Sequence, residues 1–222
     1  MSARGLFVTG TDTGVGKTRV AVALIHALRA SGLRVATMKP VSAGSAPGEL
    51  NEDVAALLQA ANVAADLRDV NPYAFAEPVA PHIAAQQAGV RIELDVIAAA
   101  YSRLAAAADV VVVEGAGGWR VPLNERDDMA DLAQRLGLPV VLVVGLRLGC
   151  LNHALLTAES IAHRQLPWAG WVGNHVDPAM ACPVENVAAL QARLPGPCLG
   201  VQAYLEPAMS TDDALQWLTL PE

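Results

Sequence analysis

Leu6-Phe7-Val8-Thr9-Gly10-Thr11-Asp12-Thr13-Gly14-Val15-Gly16-Lys17-Thr18 joins an apolar run to a glycine-studded turn and then to a lysine–threonine pair. The apolar run suits a buried parallel strand, and Arg19 to Arg29 has helical spacing. Glycines let backbone N–H groups converge on an anion, and the start of a helix aims a partial positive charge at the same point. The stretch reads as a phosphate cradle, with Lys17 reaching the outer phosphates and the Thr18 hydroxyl on a magnesium ion. Five residues separate Gly10 from Gly16, one more than the usual P-loop has. The physics survives, because Gly14 and Gly16 still flank the tight part of the turn and Gly-Lys-Thr still opens the helix.

With 222 residues, 53% of them hydrophobic, the chain can bury one full core, and one α/β domain over residues 1–222 is expected. A net charge of −7 argues against a nucleic-acid or anionic-membrane partner. The longest uncharged apolar run, Leu136 to Leu146, falls short of the ~20 residues of a membrane helix. Met1-Ser2-Ala3-Arg4 leads straight into a strand, so no leader and a cytoplasmic protein are expected. Cys150, Cys182 and Cys198 form no Cys-x-x-Cys pair and read as thiols in a reducing compartment.

The cations are more informative. Of fifteen Lys and Arg residues only Lys17 and Lys39 are lysine. An ammonium is a compact point charge that can sit against a transferring group, whereas guanidinium is a wide planar fork. Both lysines are therefore catalytic candidates.

Along the chain, a helix is expected over Lys17–Ala30, ended by Ser31-Gly32. A strand over Leu33–Met38 then delivers Lys39 and Ser42 to the carboxyl edge of the sheet, near the cradle. A helix follows through Ala61 with Asn51 as N-cap, and Asp53 reads either as a first-turn acid favouring the helix dipole or as a functional carboxylate. Asn71 to His82 is a long proline-rich loop suited to enclosing a substrate. After a helix over Ile92–Ala108, the four valines ending at Val113 form a central strand that brings Glu114 to the magnesium site, and Gly115-Ala116-Gly117-Gly118 leaves room for phosphates or substrate to approach the backbone. A helix over Asp127–Leu136 and a strand over Leu138–Gly145 lead to Asn152 and His153 at the next helix start, where they either contact a ligand or cap the helix. The strand ending at Asn174 presents an amide able to read a purine. A helix over Val184–Leu194, a short strand Cys198–Val201 and a closing helix over Thr211–Leu218 complete the alternation. The expected fold is a P-loop NTPase-like, mostly parallel sheet with helices on both faces.

Five segments resemble the dethiobiotin synthetase family: Val8 to Thr18, Lys39-Pro40-Val41, Asn71-Pro72-Tyr73 with Pro81-His82-Ile83, Val113 to Trp119, and Leu148 to Ala154. The longer cradle spacing is what that family shows. The resemblance implies a ligase of biotin biosynthesis acting on ATP, CO₂ or bicarbonate, and 7,8-diaminononanoate. It carries Mg²⁺ to Thr18, Asp53 and Glu114, and catalysis to Lys39, Lys17 and Thr13. It gives ATP to Gly14, Val15, Gly16, Lys17, Thr18, Asp53, Glu114, Gly115, Ala116, Gly117, Asn174, His175, Ala203, Tyr204, Leu205 and Glu206. Ser42, Pro81, Gly118 and Asn152 fall to the diamine, with Asn152 serving the neighbouring subunit of a homodimer. Three positions depart from the family: Gly14 replaces a frequent acid, Ser42-Ala43 reverses a frequent Ala-Ser order, and His175 stands where aspartate is common.

The competing class is a ParA/MinD-like nucleotide switch, similar in sheet order and cradle. Such switches usually carry an additional lysine early in the cradle, where this chain has Thr11, Asp12 and Thr13.

Overall fold

The computed structural model describes residues 4–45, 48–204 and 217–221. From the amino terminus it runs β1 (Arg4–Gly10), α1 (Lys17–Ala30), β2 (Val35–Met38), β3 (Val41–Ala43), α2 (Glu52–Ala60), α3 (Leu67–Val70), β4 (Tyr73–Phe75) and α4 (Pro81–Gln87). The second half comprises α5 (Leu94–Ala107), β5 (Val110–Glu114), α6 (Met129–Leu136), β6 (Val140–Leu146), α7 (Cys150–His163), β7 (Trp168–His175), α8 (Pro183–Gln191) and β8 (Cys198–Gln202). Six strands form one parallel sheet in the order β2-β5-β1-β6-β7-β8.

The side-chain period of two divides each strand between two layers. Leu6, Val8, Val110, Val112, Val141, Val143 and Val172 pack with Val20, Leu24 and Ile25 of α1. Phe7, Val111 and Val113 turn to the other side, against Ile97 and Leu104 of α5 and Leu132 of α6. Leu142, Val144 and Trp171 extend that second layer under α7 and α8. The strands are buried on both faces, which is why they read as unbroken apolar runs.

Central β1 lies between β5 and β6; the chain leaves β1 toward β2 on one side, whereas after β5 it crosses to β6 on the other. That divergence opens a crevice at the head of α1. The sheet is thus a parallel α/β fold with helices on both faces, as expected.

Three short elements were not foreseen within the long loop or beside Lys39. β3 and β4 pair as a separate two-stranded parallel sheet, Val41 opposite Tyr73 and Ala43 opposite Phe75. α4 begins with Pro81 in its first turn. Strands of three residues are too short to show a period. The expected closing helix lies mostly outside the described residues, and its end needs correction. Leu218 bridges Gly200 in antiparallel fashion and the Thr219 amide donates to Leu199 O at 2.7 Å. An apolar residue every few positions is satisfied by the edge of β8 as well as by a helix.

Leu24 is fully buried where α1 meets the sheet. Leu24→Ala is expected to cost about 2–5 kcal/mol of stability in urea unfolding, because the rigid sheet beneath it cannot collapse into the void.

Candidate active site

Alternation along the strands brings the polar residues together. Lys39 follows Val35 and Thr37 at two-residue intervals, Glu114 follows Val110 and Val112, and Asn174 follows Val172. All three therefore lie on the α1 side at the carboxyl edge. Met38 is opposite Val113, so Lys39 and Glu114 come next in register.

The turn Thr11–Gly16 wraps over this edge, and Gly16 caps α1 at φ 88°. A Cβ at Gly16 would stand 2.1 Å from Asn174 Nδ2, which itself donates to Val15 O at 2.8 Å. Asn174 thereby braces the cradle from behind, while its Oδ1 is buried without a partner. Arg147, at the end of β6, pairs with the Asp12 carboxylate, which also accepts the Thr13 amide at 2.7 Å.

At the head of α1 the Thr18 hydroxyl is 2.7 Å from Asp53 Oδ1 and 2.9 Å from Glu114 Oε1. Its single proton serves one of them at a time. The Lys39 ammonium lies 3.0 Å from Asp53 Oδ2 and also bonds Glu114 Oε1. Asp53 is placed by α2, whose N-cap Asn51 accepts the Asp53 amide at 3.1 Å and ties the helix to Ala43 O at 3.3 Å. Lys17 Nζ donates to Asp12 O at 3.1 Å.

Burial would strip the Lys39 proton, but the charges of Glu114 and Asp53 outweigh it and hold the ammonium above its ordinary range. Burial pushes Glu114 up, with Lys39 holding it back in part. For Asp53 burial is outweighed by Lys39 and the Thr18 hydroxyl, and the carboxyl falls below its usual range. Burial and the neighbouring Lys39 charge lower Lys17 to about 8.

These groups line a cavity of about 660 Å³. Thr13, Gly14, Gly16, Ala116 and Gly117 close its cradle end, and Ser42, Asn51 and the Pro78–Pro81 turn close the other. Lys17 and Lys39 both reach it, so the two lysines of the chain share one rim. Val15 is core, and Gly115 packs beside Met129 and Phe7. Gly118 backs the cradle, where an added Cβ would lie 3.6 Å from Asp12 Cα and Thr11 O.

Other expected residues stand apart. Asn152 is exposed in the first turn of α7 and does not line this cavity. His175 is on the opposite sheet face from Asn174 and lines a separate cavity of about 330 Å³ against α8. Ala203 and Tyr204 are exposed just beyond β8, where Gln202 pairs with Asn174. Leu205 and Glu206 lie outside the described residues.

Asn71 belongs to the proline-rich loop and to a segment that carries the family resemblance, with no role of its own expected. Its Nδ2 donates to Lys39 O at 2.6 Å and Tyr73 O at 3.2 Å, and its Oδ1 accepts from Ser42 Oγ at 2.8 Å. The Lys39 amide donates to Val70 O at 2.8 Å. The backbone under Lys39 is thus clamped from both sides. A loop asparagine carries no sequence sign of bonds made across 32 residues.

A family model described as an AAA domain matches residues 4–210. A curated relative named ATP-dependent dethiobiotin synthetase BioD, from Nitrosospira multiformis, is 55% identical over 201 residues, covering 90% of this chain and 88% of its own. A relative of the same name from Aromatoleum aromaticum is 54% identical over 205 residues, or 91% of each chain. The chain belongs to the dethiobiotin synthetase family. As a member of the dethiobiotin synthetase family it is an ATP-dependent ligase of biotin biosynthesis. Among solved structures, the MinC:MinD cell division complex of Aquifex aeolicus superposes with a TM-score of 0.58 at 16% identity, covering 96% of this chain and 86% of that one. The septum site-determining protein MinD of Pyrococcus horikoshii, complexed with Mg-ADP, gives 0.57 at 16% identity, covering 96% and 85%. That likeness is one of fold.

Two outcomes are expected for this dethiobiotin synthetase relative. Asn71→Asp sets an oxygen against Lys39 O, and steady-state kinetics should show kcat lower by roughly 10²-fold with ATP affinity little changed. A triphosphate seated against Lys17 would favour the ammonium, so nucleotide binding there would take up a proton wherever free Lys17 is neutral. ATP affinity measured by calorimetry should therefore hold up to about pH 8 and fall above it.

Proposed function

We propose that the protein closes 7,8-diaminononanoate to the cyclic urea dethiobiotin, consuming CO₂ and ATP and releasing ADP and phosphate. One amine adds to CO₂, giving a carbamate and a proton. A carbamate oxygen attacks the γ-phosphorus and ADP leaves. The second amine attacks the carbonyl carbon of the carbamoyl phosphate anhydride, phosphate departs with the C–O bond, and the amine proton is lost.

The observation that carries this reading is the meeting of Lys17, Lys39, Thr18, Asp53 and Glu114 on one cavity wall. A carbamate anion must approach a phosphate that repels it, and two ammonium groups offset that repulsion. Phosphoryl transfer asks for position and fixed charge more than covalent help. In this assignment Lys17 holds the β- and γ-phosphates, Lys39 steadies the carbamate and the charge developing on the transferred group, and Thr13 with the cradle amides closes over the phosphates. Gly14, Gly16, Ala116 and Gly117 provide backbone approach.

The donor set fits a hard divalent cation. Thr18, Asp53 and Glu114 supply oxygens only, and buried Glu114 Oε2 has no partner. Two carboxylates and a hydroxyl, completed by phosphates, suit Mg²⁺, which would neutralise phosphate charge there.

The adenine and ribose are assigned to Asn174 and the segment from Ala203 onward, supported by the unpartnered Asn174 Oδ1. The diamine is assigned to the Ser42, Asn51 and Pro81 end, beyond the space phosphates fill. A nucleotide switch would have no use for that end. Leu148, 96% exposed, and Leu156, 58% exposed, flank Asn152, and this apolar patch supports a homodimer in which Asn152 serves the partner's diamine. Among the described residues no helix is long and apolar enough to cross a membrane. Cys150, Cys182 and Cys198 are free thiols, which supports a cytoplasmic setting.

Incubation with the diamine, labelled bicarbonate, Mg²⁺ and ATP should place label in a cyclic urea, with one ADP per ring. Lys39→Gln should bind ATP yet lose roughly 10²–10³ in kcat, and Lys39→Arg should not restore it, since a planar fork cannot replace the ammonium between two carboxylates. ADP formation indifferent to diamine and bicarbonate would refute the assignment.

A further inference from the structure

The cradle carries a negative charge of its own. Asp12 follows Thr11, whose amide donates to Val143 O at 3.0 Å and extends the pairing of β1 with β6 into the turn. The Asp12 carboxylate has two attachments. Its Oδ1 accepts the Thr13 amide at 2.7 Å, and its Oδ2 meets the Arg147 guanidinium. The carbonyl oxygen of the same residue accepts from Lys17 Nζ at 3.1 Å, and the carboxylate charge is felt at that ammonium. The amides of Gly14, Val15, Gly16, Lys17 and Thr18 have no acceptor among the described residues, which leaves a row of donors open to an anion. That row stops at Thr13, whose amide the carboxylate has taken.

An unpaired carboxylate at this point would repel a triphosphate drawn to the row. Arg147 cancels it. The Arg147 and Asp12 side chains are 41% and 47% exposed, and an ion pair so open to water adds little to stability. Thr13 and Lys17 line the cavity, but neither Asp12 nor Arg147 does, so Arg147 acts through Asp12 and not by touching phosphate. We infer that Arg147 is a positioning residue for nucleotide binding, pairing with Asp12 so that the carboxylate can hold the turn without opposing the triphosphate. The inference rests on placing the triphosphate in this cradle, and adds to that placement the group that cancels the cradle's own charge.

The test is calorimetric binding of the non-hydrolysable ATP analogue adenylyl imidodiphosphate with Mg²⁺. Relative to wild type at the same salt, Arg147→Met should bind about fivefold more weakly at low ionic strength and almost equally at high, where an exposed charge is screened. Made in Asp12→Asn protein, where the carboxylate charge is already gone, the same substitution should cost less than about twofold. In turnover the loss should fall on the KM for ATP, with kcat and the KM for the diamine kept. A purely structural role, loosening the turn, would lower kcat, persist at high salt and survive in the Asp12→Asn background. Any of those results, or Arg147→Met binding as tightly as wild type at low salt, would overturn the inference. Lys17→Met binding the analogue as wild type does would instead take the phosphates out of the cradle and refute the placement itself.

Discussion

The Lys39 ammonium, held between Glu114 and Asp53 under the sheet's carboxyl edge, is the constraint to which the site answers. An ion buried to this degree persists only with close opposite charge, and Lys39 or Glu114 alone would be destabilised there, whereas Asp53 is half-exposed. Formal charge balances in the free protein: Lys17 and Lys39 against Asp53 and Glu114. A triphosphate seated against Lys17, as proposed, would upset that balance by bringing its anionic end beside two carboxylates. In the proposed assignment a divalent cation on the carboxylates and Thr18 would remove the conflict and leave both ammonium groups free to face phosphate and carbamate. In the proposed assignment the same four charges would favour nucleotide bound together with a metal.

Register converts this electrostatic arrangement into a property of the fold. Lys39, Glu114 and Asn174 end three different strands, yet each continues the row of side chains that packs on α1. A one-residue slip in any strand would send its polar terminus to the opposite layer. His175 illustrates the point, because one step beyond Asn174 it faces α8 and a different cavity. The crevice flanking β1 supplies the space, and Gly16 supplies the close approach that lets Asn174 hold the cradle from below.

Much of this was legible in the chain. The parallel sheet could be read because its strands are buried on both faces and so are written as apolar runs. The cradle could be read from its glycines, and the two lysines stood out against thirteen arginines. Asp53 was ambiguous for a physical reason: an acid in the first turn of a helix is favourable whether or not anything faces it, and only the packing of α2 on α1 shows Lys39 and Thr18 opposite. Asn71 and Arg147 were illegible. Their partners, Lys39 O and the Asp12 carboxylate, are brought near by tertiary structure alone. The three-residue strands β3 and β4 left no periodic trace, and the chain near Leu218 uses apolar residues to cover a sheet edge.

The reversed Ser42-Ala43 order acquires a meaning in this frame. In β3, Val41 and Ala43 pack against the apolar cluster containing Phe75 and Ala84, while Ser42 between them turns to Asn71. Val41, Ser42 and Ala43 all border the cavity, and in this order the hydroxyl is the one bonded to Asn71. In this chain the hydroxyl is wired to the amide that also clamps Lys39, so this part of the cavity wall and the lysine share a support.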